Sequence, residues 1–144
     1  MPYHRIASGR RRPVLATLGL LLGLAALPGA AHAQAQCEND PEVGNWSNTT
    51  PQAGSIASLE INCQGNGSWS VRASGTCERA NCDWRPVPAQ KLASGQVFAV
   101  YSRGAARYNL YAKASNPNLL QVYIWTSYSD GRADRETRNN FTRR

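Results

Sequence analysis

From residue 43 onward the chain is a series of short β-prone runs separated by turn residues, and no long segment repeats with the 3.6-residue period of a helix. Residues 55–63 alternate, with Ala57, Leu59 and Ile61 on one face. Gly65-Asn66-Gly67 is typical of a tight hairpin turn, which needs positive φ angles. The pattern predicts about eight strands, with β-prone runs at 43–49, 55–63, 68–75, 96–103, 106–114, 119–128 and 136–143. Between the third and fourth of these runs, a turn at 77–82 leads to Asp83-Trp84-Arg85.

The turns between these strands are too short for parallel crossovers, so the sheet is expected to be antiparallel. An all-β, up-and-down barrel of about eight strands fits this pattern, because closure removes exposed edges. A two-sheet β-sandwich is the alternative. Residues 86–95 contain Pro86, Pro88 and Gly95 and predict a loop with one helical turn at 89–92.

The N-terminus carries the three parts of an export signal. Four arginines precede an apolar run at 14–27, and Ala31-His32-Ala33 supplies the small residues that a signal peptidase reads. We therefore expect a signal peptide at 1–33, an extended lead-in at 34–42 and one domain at 43–144. The protein would be exported, periplasmic or extracellular, with no membrane span after cleavage.

Both histidines, His4 and His32, lie in this signal segment, so the mature chain has none. It therefore lacks the commonest general base and a usual metal ligand. No phosphate-binding glycine loop precedes a helix. The sequence predicts no enzyme, no metal and no cofactor. The mature chain has a formal net charge of only +3, and an exported chain is not expected to bind nucleic acid.

Cys37, Cys63, Cys77 and Cys82 form an even set in an oxidising compartment, which predicts two disulfides. Three pairings are open. We favour Cys77–Cys82 across a four-residue turn, which leaves Cys37 to pair with Cys63.

Gly44-x-Trp46 near the start of the domain and Phe141-Thr142-Arg143 at its end resemble the calycin pattern of lipocalins and avidins. The resemblance implies that Trp46 packs across the barrel floor, with Arg143 or its neighbour Arg144 stacked on its ring.

Gly44-x-Trp46-x-Asn48 followed by Gly54-Ser55 resembles avidins more narrowly, and implies polar ligand contacts at Asn48 and Ser55 and a pocket wall at Trp125. Three extra residues separate Asn48 from Gly54 relative to avidins, so we expect no tight binding of biotin.

Nearly all of the mature chain also resembles an uncharacterised domain of exported bacterial proteins. The shared motifs are GxWxN at 44–48, CDW at 82–84 and a DG turn at 130–135. This second resemblance implies no known activity.

Aromatic residues are the better functional signal. In 119–128, Leu120, Val122 and Ile124 lie on one face, and Tyr123 and Trp125 lie on the other. One face would fill the barrel, and the other would be an open or partner-covered patch.

We therefore expect a non-enzymatic binding module for a small ligand, glycan or peptide, held at the barrel mouth or on the aromatic face. The candidate ligand contacts are Asn48, Ser55, Tyr108, Tyr123 and Trp125. The alternative is a secreted or periplasmic protease inhibitor of the small β-barrel type, whose lead-in at 34–42 enters an active-site cleft.

Overall fold

The computed structural model describes residues 39–76 and 82–144, which form a closed barrel of eight antiparallel strands. Each strand pairs with the next in the chain, and β1 pairs with β8 to close the barrel. The predicted up-and-down barrel is confirmed, and closure rules out the two-sheet sandwich. The strands are β1 Gly44–Asn48, β2 Ile56–Cys63, β3 Trp69–Gly75, β4 Asp83–Lys91, β5 Val97–Arg103, β6 Ala106–Asn116, β7 Leu119–Tyr128 and β8 Arg135–Arg143.

Apolar side chains from all strands except β4 supply the fully buried core, and β4 adds half-buried residues around it. On β7 the structure decides which face is inside, because Leu120, Val122 and Ile124 are buried in the core. Tyr123 and Trp125 therefore point outward. Side chains fill the centre of the barrel. A ligand can therefore bind only at the ends of the barrel or on its outer surface.

The predicted loop at 86–95 is wrong, because β4 extends as a strand to Lys91. Its two prolines lie at alternate positions, so their missing N–H groups belong to the same edge of the strand. Pairing with β5 begins only at Ala89, beyond both Pro86 and Pro88. Along the proline stretch β4 is paired with β3 alone, so the strand accommodates prolines that a fully paired central strand would not.

Two β-bulges change which side chains face the interior. One lies in β2 between Ile56 and Ser58, and it makes Ile56 a core residue although the alternation at 55–63 placed Ala57 inside. The other lies in β4, where Trp84 and Arg85 together oppose Ala73. Arg85 adopts a φ of 53°, which lets Trp84 face inward against the core while Arg85 is exposed.

One end of the barrel, the floor, is closed by Trp46 and Arg143, as the calycin resemblance implies. Trp46 is fully buried, and the Arg143 guanidinium lies 4.4 Å from its ring centroid. The guanidinium also donates hydrogen bonds to the backbone carbonyls of Pro41, Val43 and Pro117, at 2.7–2.9 Å. A Cβ on Gly44 would overlap this guanidinium, which explains why glycine precedes Trp46 by two residues.

The lead-in closes the same end. Glu42 is buried, and its carboxylate accepts a hydrogen bond of 2.8 Å from the backbone N–H of Ala114. The same carboxylate forms an ion pair with Lys91. Lys91 also pairs with Asp40 at 2.8 Å. Burial raises the pKa of Glu42, and the neighbouring Asp40 carboxyl adds to this effect. Residues 39–42 form a turn anchored on the barrel, so the extended lead-in is wrong for this part, while 34–38 lie outside the described residues.

Cys63 and Cys82 are both disulfide-bonded. They lie at opposite ends of the β2–β3 ladder, so they are not each other's partners. Cys37, Cys77 and the signal segment at 1–33 lie outside the described residues, so the full pairing and the export signal stay predictions. In the part of the chain that the structure describes, no helix is long and apolar enough to cross a membrane.

Candidate functional site

The outer surface of the barrel is divided into two unlike halves. On β2 and β3 the outward positions carry short polar or charged side chains, such as Ser58, Glu60 and Arg72. On β5, β6 and β7 they carry a row of rings, in which Phe98 lies opposite Tyr111 and Tyr111 lies opposite Tyr123. This aromatic row is continuous across three strands because each ring is a direct cross-strand neighbour of the next, and Arg138 on β8 lies opposite Tyr123 at its end.

The rings of the aromatic row contact one another. The centroids of Phe98 and Tyr111 are 4.8 Å apart, and those of Tyr111 and Tyr123 are 5.8 Å apart, both in tilted arrangements. The Arg138 guanidinium lies 5.4 Å from the Tyr123 centroid and pairs with Glu136 at 3.0 Å. Partial burial and the nearby Glu136 carboxylate raise the pKa of Tyr123.

A row of polar residues runs beside the aromatic row, two residues away from it on each strand and toward the floor end of the barrel. Lys113 lies opposite Gln121, and Gln121 lies opposite Asn140. The two rows border a depression of about 650 Å³, which we call the outer trough. Its lining residues are Thr49, Thr50, Gln96, Tyr111, Lys113, Gln121, Val122, Tyr123, Arg138, Asn139 and Asn140. The residues found there supply rings, amides, hydroxyls and two cations but no carboxylate.

A second depression of about 330 Å³ lies on the other side of the aromatic row. It is lined by Asn109 and Trp125 together with Gln96, Tyr111 and Tyr123. Trp125 is 39 % exposed, the largest exposed apolar side chain in the described ranges. Tyr111 and Tyr123 therefore stand between two hollows.

The structure places the five predicted ligand contacts in two separate regions. Tyr123 and Trp125 lie on the outer surface, so Trp125 is not a wall of an interior pocket as the avidin resemblance implied. Ser55 and Tyr108 line a cavity at the end of the barrel opposite the floor, which we call the mouth. Asn48 also lies toward this end, on the last residue of β1.

Asn48 and Ser55 are engaged with the backbone around them. The Asn48 amide donates to the Ile56 carbonyl at 2.8 Å, and its oxygen accepts from the Thr50 N–H at 3.0 Å. The Ser55 hydroxyl donates to the Gln52 carbonyl at 2.7 Å and accepts from the Gln52 N–H at 2.9 Å. These bonds hold the loop between β1 and β2, and each polar atom of Asn48 already has a protein partner.

Sequence reasoning missed the alignment of Phe98, Tyr111 and Arg138 with Tyr123. Part of the signal was present in the β5–β6 hairpin turn, since counting outward from Gly104-Ala105 places Phe98 opposite Tyr111. The β6–β7 turn does not give its register in this way, because a register shift between Ala114 and Asn116 brings Tyr111 opposite Tyr123. Trp84 and Arg135 at the mouth were also missed, because the bulge that turns Trp84 inward has no clear local signature.

Two acidic residues of the outer wall, Asp83 and Glu136, are engaged in ion pairs. Asp83 pairs with Arg72, and the hydrogen bonds from Arg72 lower its pKa, so it stays a carboxylate. In residues 39–76 and 82–144, no three of His, Cys, Asp and Glu come together in a way that could hold a metal ion.

Comparison with protein-family models, with characterised proteins and with solved structures gave no match to this chain.

Proposed function

We propose that this protein is an exported, non-enzymatic glycan-binding module, and that the outer trough is its binding surface. The observation that carries the proposal is the aromatic row, aligned ring by ring across β5, β6 and β7 on the outside of a barrel whose core is already filled. Core packing does not need these rings, and an exposed aromatic stripe is a surface for contact with another molecule.

The chemistry of the trough suits a sugar chain. The C–H faces of pyranose rings are apolar and pack on aromatic rings, while their hydroxyls need both donors and acceptors. Tyr111 and Tyr123 provide the rings, and Gln121 and Asn140 provide amides that can donate and accept. The volume of about 650 Å³ lies within the range of ligand sites in proteins.

The charge in the trough favours acidic sugars. Lys113 makes no ion pair in the described part of the chain, and its ammonium donates to the Ser94 carbonyl at 3.1 Å. Arg138 is the second cation, and its only paired acid, Glu136, lies on the far side of the aromatic row. We therefore expect uronate-containing polysaccharides to bind more tightly than neutral ones, in a salt-dependent manner.

Affinity electrophoresis and calorimetry of the purified exported protein would test this, with alginate and polygalacturonate as acidic probes and dextran and xylan as neutral ones. Tyr111→Ala or Tyr123→Ala should weaken binding about tenfold, because ~55 Å² of ring face at ~25 cal/mol/Å² corresponds to ~1.4 kcal/mol. Lys113→Gln should weaken only the acidic probes. Arg107→Gln is the matched control, since this exposed arginine lies on β6 outside the trough.

Two results would count against the proposal. One is the absence of binding to every polysaccharide, or binding that both tyrosine variants retain in full. The other is a concentration-dependent dimer in analytical ultracentrifugation that Tyr111→Ala abolishes, which would assign the aromatic row to contact with a second copy.

The protease-inhibitor alternative gains no support from the described residues. Residues 39–42 are bound to the floor through Glu42 and Lys91, so this part of the lead-in is not free to enter a cleft.

A further inference from the structure

The second depression beside the aromatic row extends the proposed glycan surface toward the mouth. It shares Gln96, Tyr111 and Tyr123 with the outer trough, so the two tyrosine rings form the boundary between the two hollows. Asn109 and Trp125 line the second depression and are absent from the lining of the outer trough. We call this second depression the tryptophan hollow. A sugar chain that crosses the tyrosine rings can occupy both hollows at once.

Trp125 provides a second stacking surface in line with Tyr123. The two residues lie two apart on β7, so both side chains point outward, with their Cα atoms about 7 Å apart. Trp125 is 39 % exposed, and it contacts no other aromatic ring and no cation in the described part of the chain. Its ring can therefore pack on the apolar face of one sugar unit while Tyr123 packs on another.

Asn109 supplies the polar contact that a sugar stacked on Trp125 needs. It lies directly opposite Trp125 on the neighbouring strand β6. Within residues 39–76 and 82–144, its side-chain amide makes no hydrogen bond. The amide can therefore donate to one sugar hydroxyl and accept from another. A ring beside an uncommitted amide is the same chemistry that the outer trough offers through its tyrosines and amides.

The two hollows differ in charge. The outer trough is lined by Lys113 and Arg138, and no carboxylate is found among its lining residues. The lining residues found in the tryptophan hollow carry no charge, and Glu136 lies directly opposite Trp125 on β8. Arg107, the next outward residue of β6 toward the mouth, does not line this hollow. The surface therefore changes from cationic to weakly anionic along the direction of the strands.

The Glu136 carboxylate disfavours a negative sugar on the Trp125 ring. Directly opposite residues of an antiparallel pair have Cβ atoms about 5 Å apart, so a uronate stacked on Trp125 would bring a second carboxylate close to Glu136. Like charges at this separation repel even when exposed to water. A neutral unit at the same place meets the ring and the amide without this repulsion.

We infer that the ligand is a sparsely charged heteroglycan, in which a uronate in the outer trough is followed by neutral units that stack on the rings toward the mouth. This inference rests on the proposed glycan function and specifies which sugar chains the same surface selects. The cations of the outer trough hold the uronate, and the tryptophan hollow holds a neutral unit. Glu136 acts against chains that carry a carboxylate on every unit.

Calorimetry with three tetrasaccharides tests the inference on the protein without its predicted signal peptide. The probes are aldotetraouronic acid, in which a single methylglucuronate caps xylotriose, tetragalacturonate, in which every unit is acidic, and xylotetraose, which is neutral. We expect aldotetraouronic acid to bind about tenfold more tightly than xylotetraose, because of the two cations in the outer trough. It should bind about threefold more tightly than tetragalacturonate, the size of one like-charge contact across an exposed surface.

Glu136→Gln isolates the contribution of the like charge. This substitution also releases Arg138 from its ion pair, which strengthens both acidic probes alike, so the ratio of their affinities is the quantity to compare. We expect the preference for aldotetraouronic acid over tetragalacturonate to disappear in Glu136→Gln. It should persist in Glu60→Gln, the matched control on the polar half of the wall, and in Arg107→Gln.

Trp125→Ala tests whether the neutral units reach the tryptophan hollow. Binding of aldotetraouronic acid and of xylotetraose should weaken about tenfold, by the ring-face area used for the tyrosines. Circular dichroism confirms that the variant is folded. In ¹⁵N spectra of the wild type, the indole signal that this variant lacks identifies Trp125. That signal should shift saturably with aldotetraouronic acid, while the signal of the buried Trp46 stays in place.

The outcomes separate this inference from the proposed function. Equal affinities for aldotetraouronic acid and tetragalacturonate, an unchanged preference in Glu136→Gln, or full binding by Trp125→Ala would overturn the inference and leave glycan binding by the outer trough intact. Binding of polysaccharides but of no tetrasaccharide would also overturn it. Absence of binding to every polysaccharide and every tetrasaccharide would reject the proposed function and this inference together.

Discussion

Single residues at the floor explain the G-x-W motif with which the domain begins. Gly44 has a φ of 141° and lies directly under the Arg143 guanidinium, so a side chain at this position would be strained and would displace the arginine. Trp46 is fully buried, and its N–H donates to the Glu42 carbonyl at 3.0 Å. The motif is therefore the local requirement for stacking an arginine from the last strand on a tryptophan from the first.

Trp46→Ala should destabilise the protein by about 3–5 kcal/mol, because it removes a fully buried aromatic ring and the surface on which Arg143 is stacked. Urea unfolding followed by circular dichroism measures this. Trp125→Ala, at an exposed site, is the control and should change stability by less than about 1 kcal/mol. Unfolding of Trp46→Ala at the wild-type midpoint would contradict the structural role given to this residue.

Tyr101 is the buried group that should control stability in alkali. Its hydroxyl donates to the Val71 carbonyl at 2.7 Å, and burial raises its pKa far above that of a free phenol. Since the folded pKa is above the unfolded one, the stabilisation is complete below pH ~10 and is lost as pH rises beyond it, by up to ~1.4 kcal/mol per pH unit. Tyr101→Phe should therefore lose stability less steeply than the wild type between pH 10 and 11.5. Equal slopes in denaturant titrations would contradict this.

At the scale of the strands, neighbouring strands differ in how many residues they pair. Two of the ladders are short, and we call them the seams of the barrel. The β6–β7 ladder runs without a break from Ala106 to Ala114. In contrast, β1 meets β8 only through Trp46–Asn48, and β4 meets β5 only through Ala89–Lys91. Opening of the barrel is expected to begin at the seams, because the fewest backbone hydrogen bonds must break there.

Native-state hydrogen exchange should show this order. Amides in β6 and β7 are expected to exchange slowest, through global unfolding, and those of β4 at 83–88 at least tenfold faster, through local opening. The measurement uses ¹H–¹⁵N spectra recorded over time in D₂O. Uniform protection around the barrel would show that the seams are as stable as the long ladders.

At the scale of the whole molecule, the two ends of the barrel have different chemistry. Charged groups at the floor are paired with one another and with backbone atoms, so that end is sealed. The mouth holds a small cavity. The outer wall differs from both ends because it carries the aromatic row. The sealed floor thus has a structural role, and glycan binding is proposed on the outer trough of the wall.

The protein without its predicted signal peptide should contain no free thiol when denatured without reduction. The count of four cysteines and the bonded state of Cys63 and Cys82 support this. Thiol titration in guanidinium checks it, with the reduced protein as control, and one or more thiols per chain would contradict it. Loss of the predicted Cys77–Cys82 bridge should destabilise less than loss of Cys37–Cys63, because the shorter loop restricts the unfolded chain less.

The sequence by itself determined the class of fold and most of the strand connectivity. Alternation of apolar residues and short turns are local properties, and they were enough to predict an antiparallel barrel of about eight strands. The pairing of Trp46 with Arg143 at one end was implied by the calycin resemblance. The β4 strand was missed because prolines disfavour strands in general. They are tolerated here only because β5 does not pair along that stretch, and pairing is not a local property.

Only the tertiary structure decided where the candidate sites lie. Which face of β7 is inside depends on the whole core, so the outward position of Tyr123 and Trp125 could not be derived from their own strand. The aromatic row depends on the register of three strands, and the inward position of Trp84 depends on a bulge opposite Ala73. Sites of this kind are formed by residues far apart in the chain, and the spacing between them is fixed only when the barrel closes.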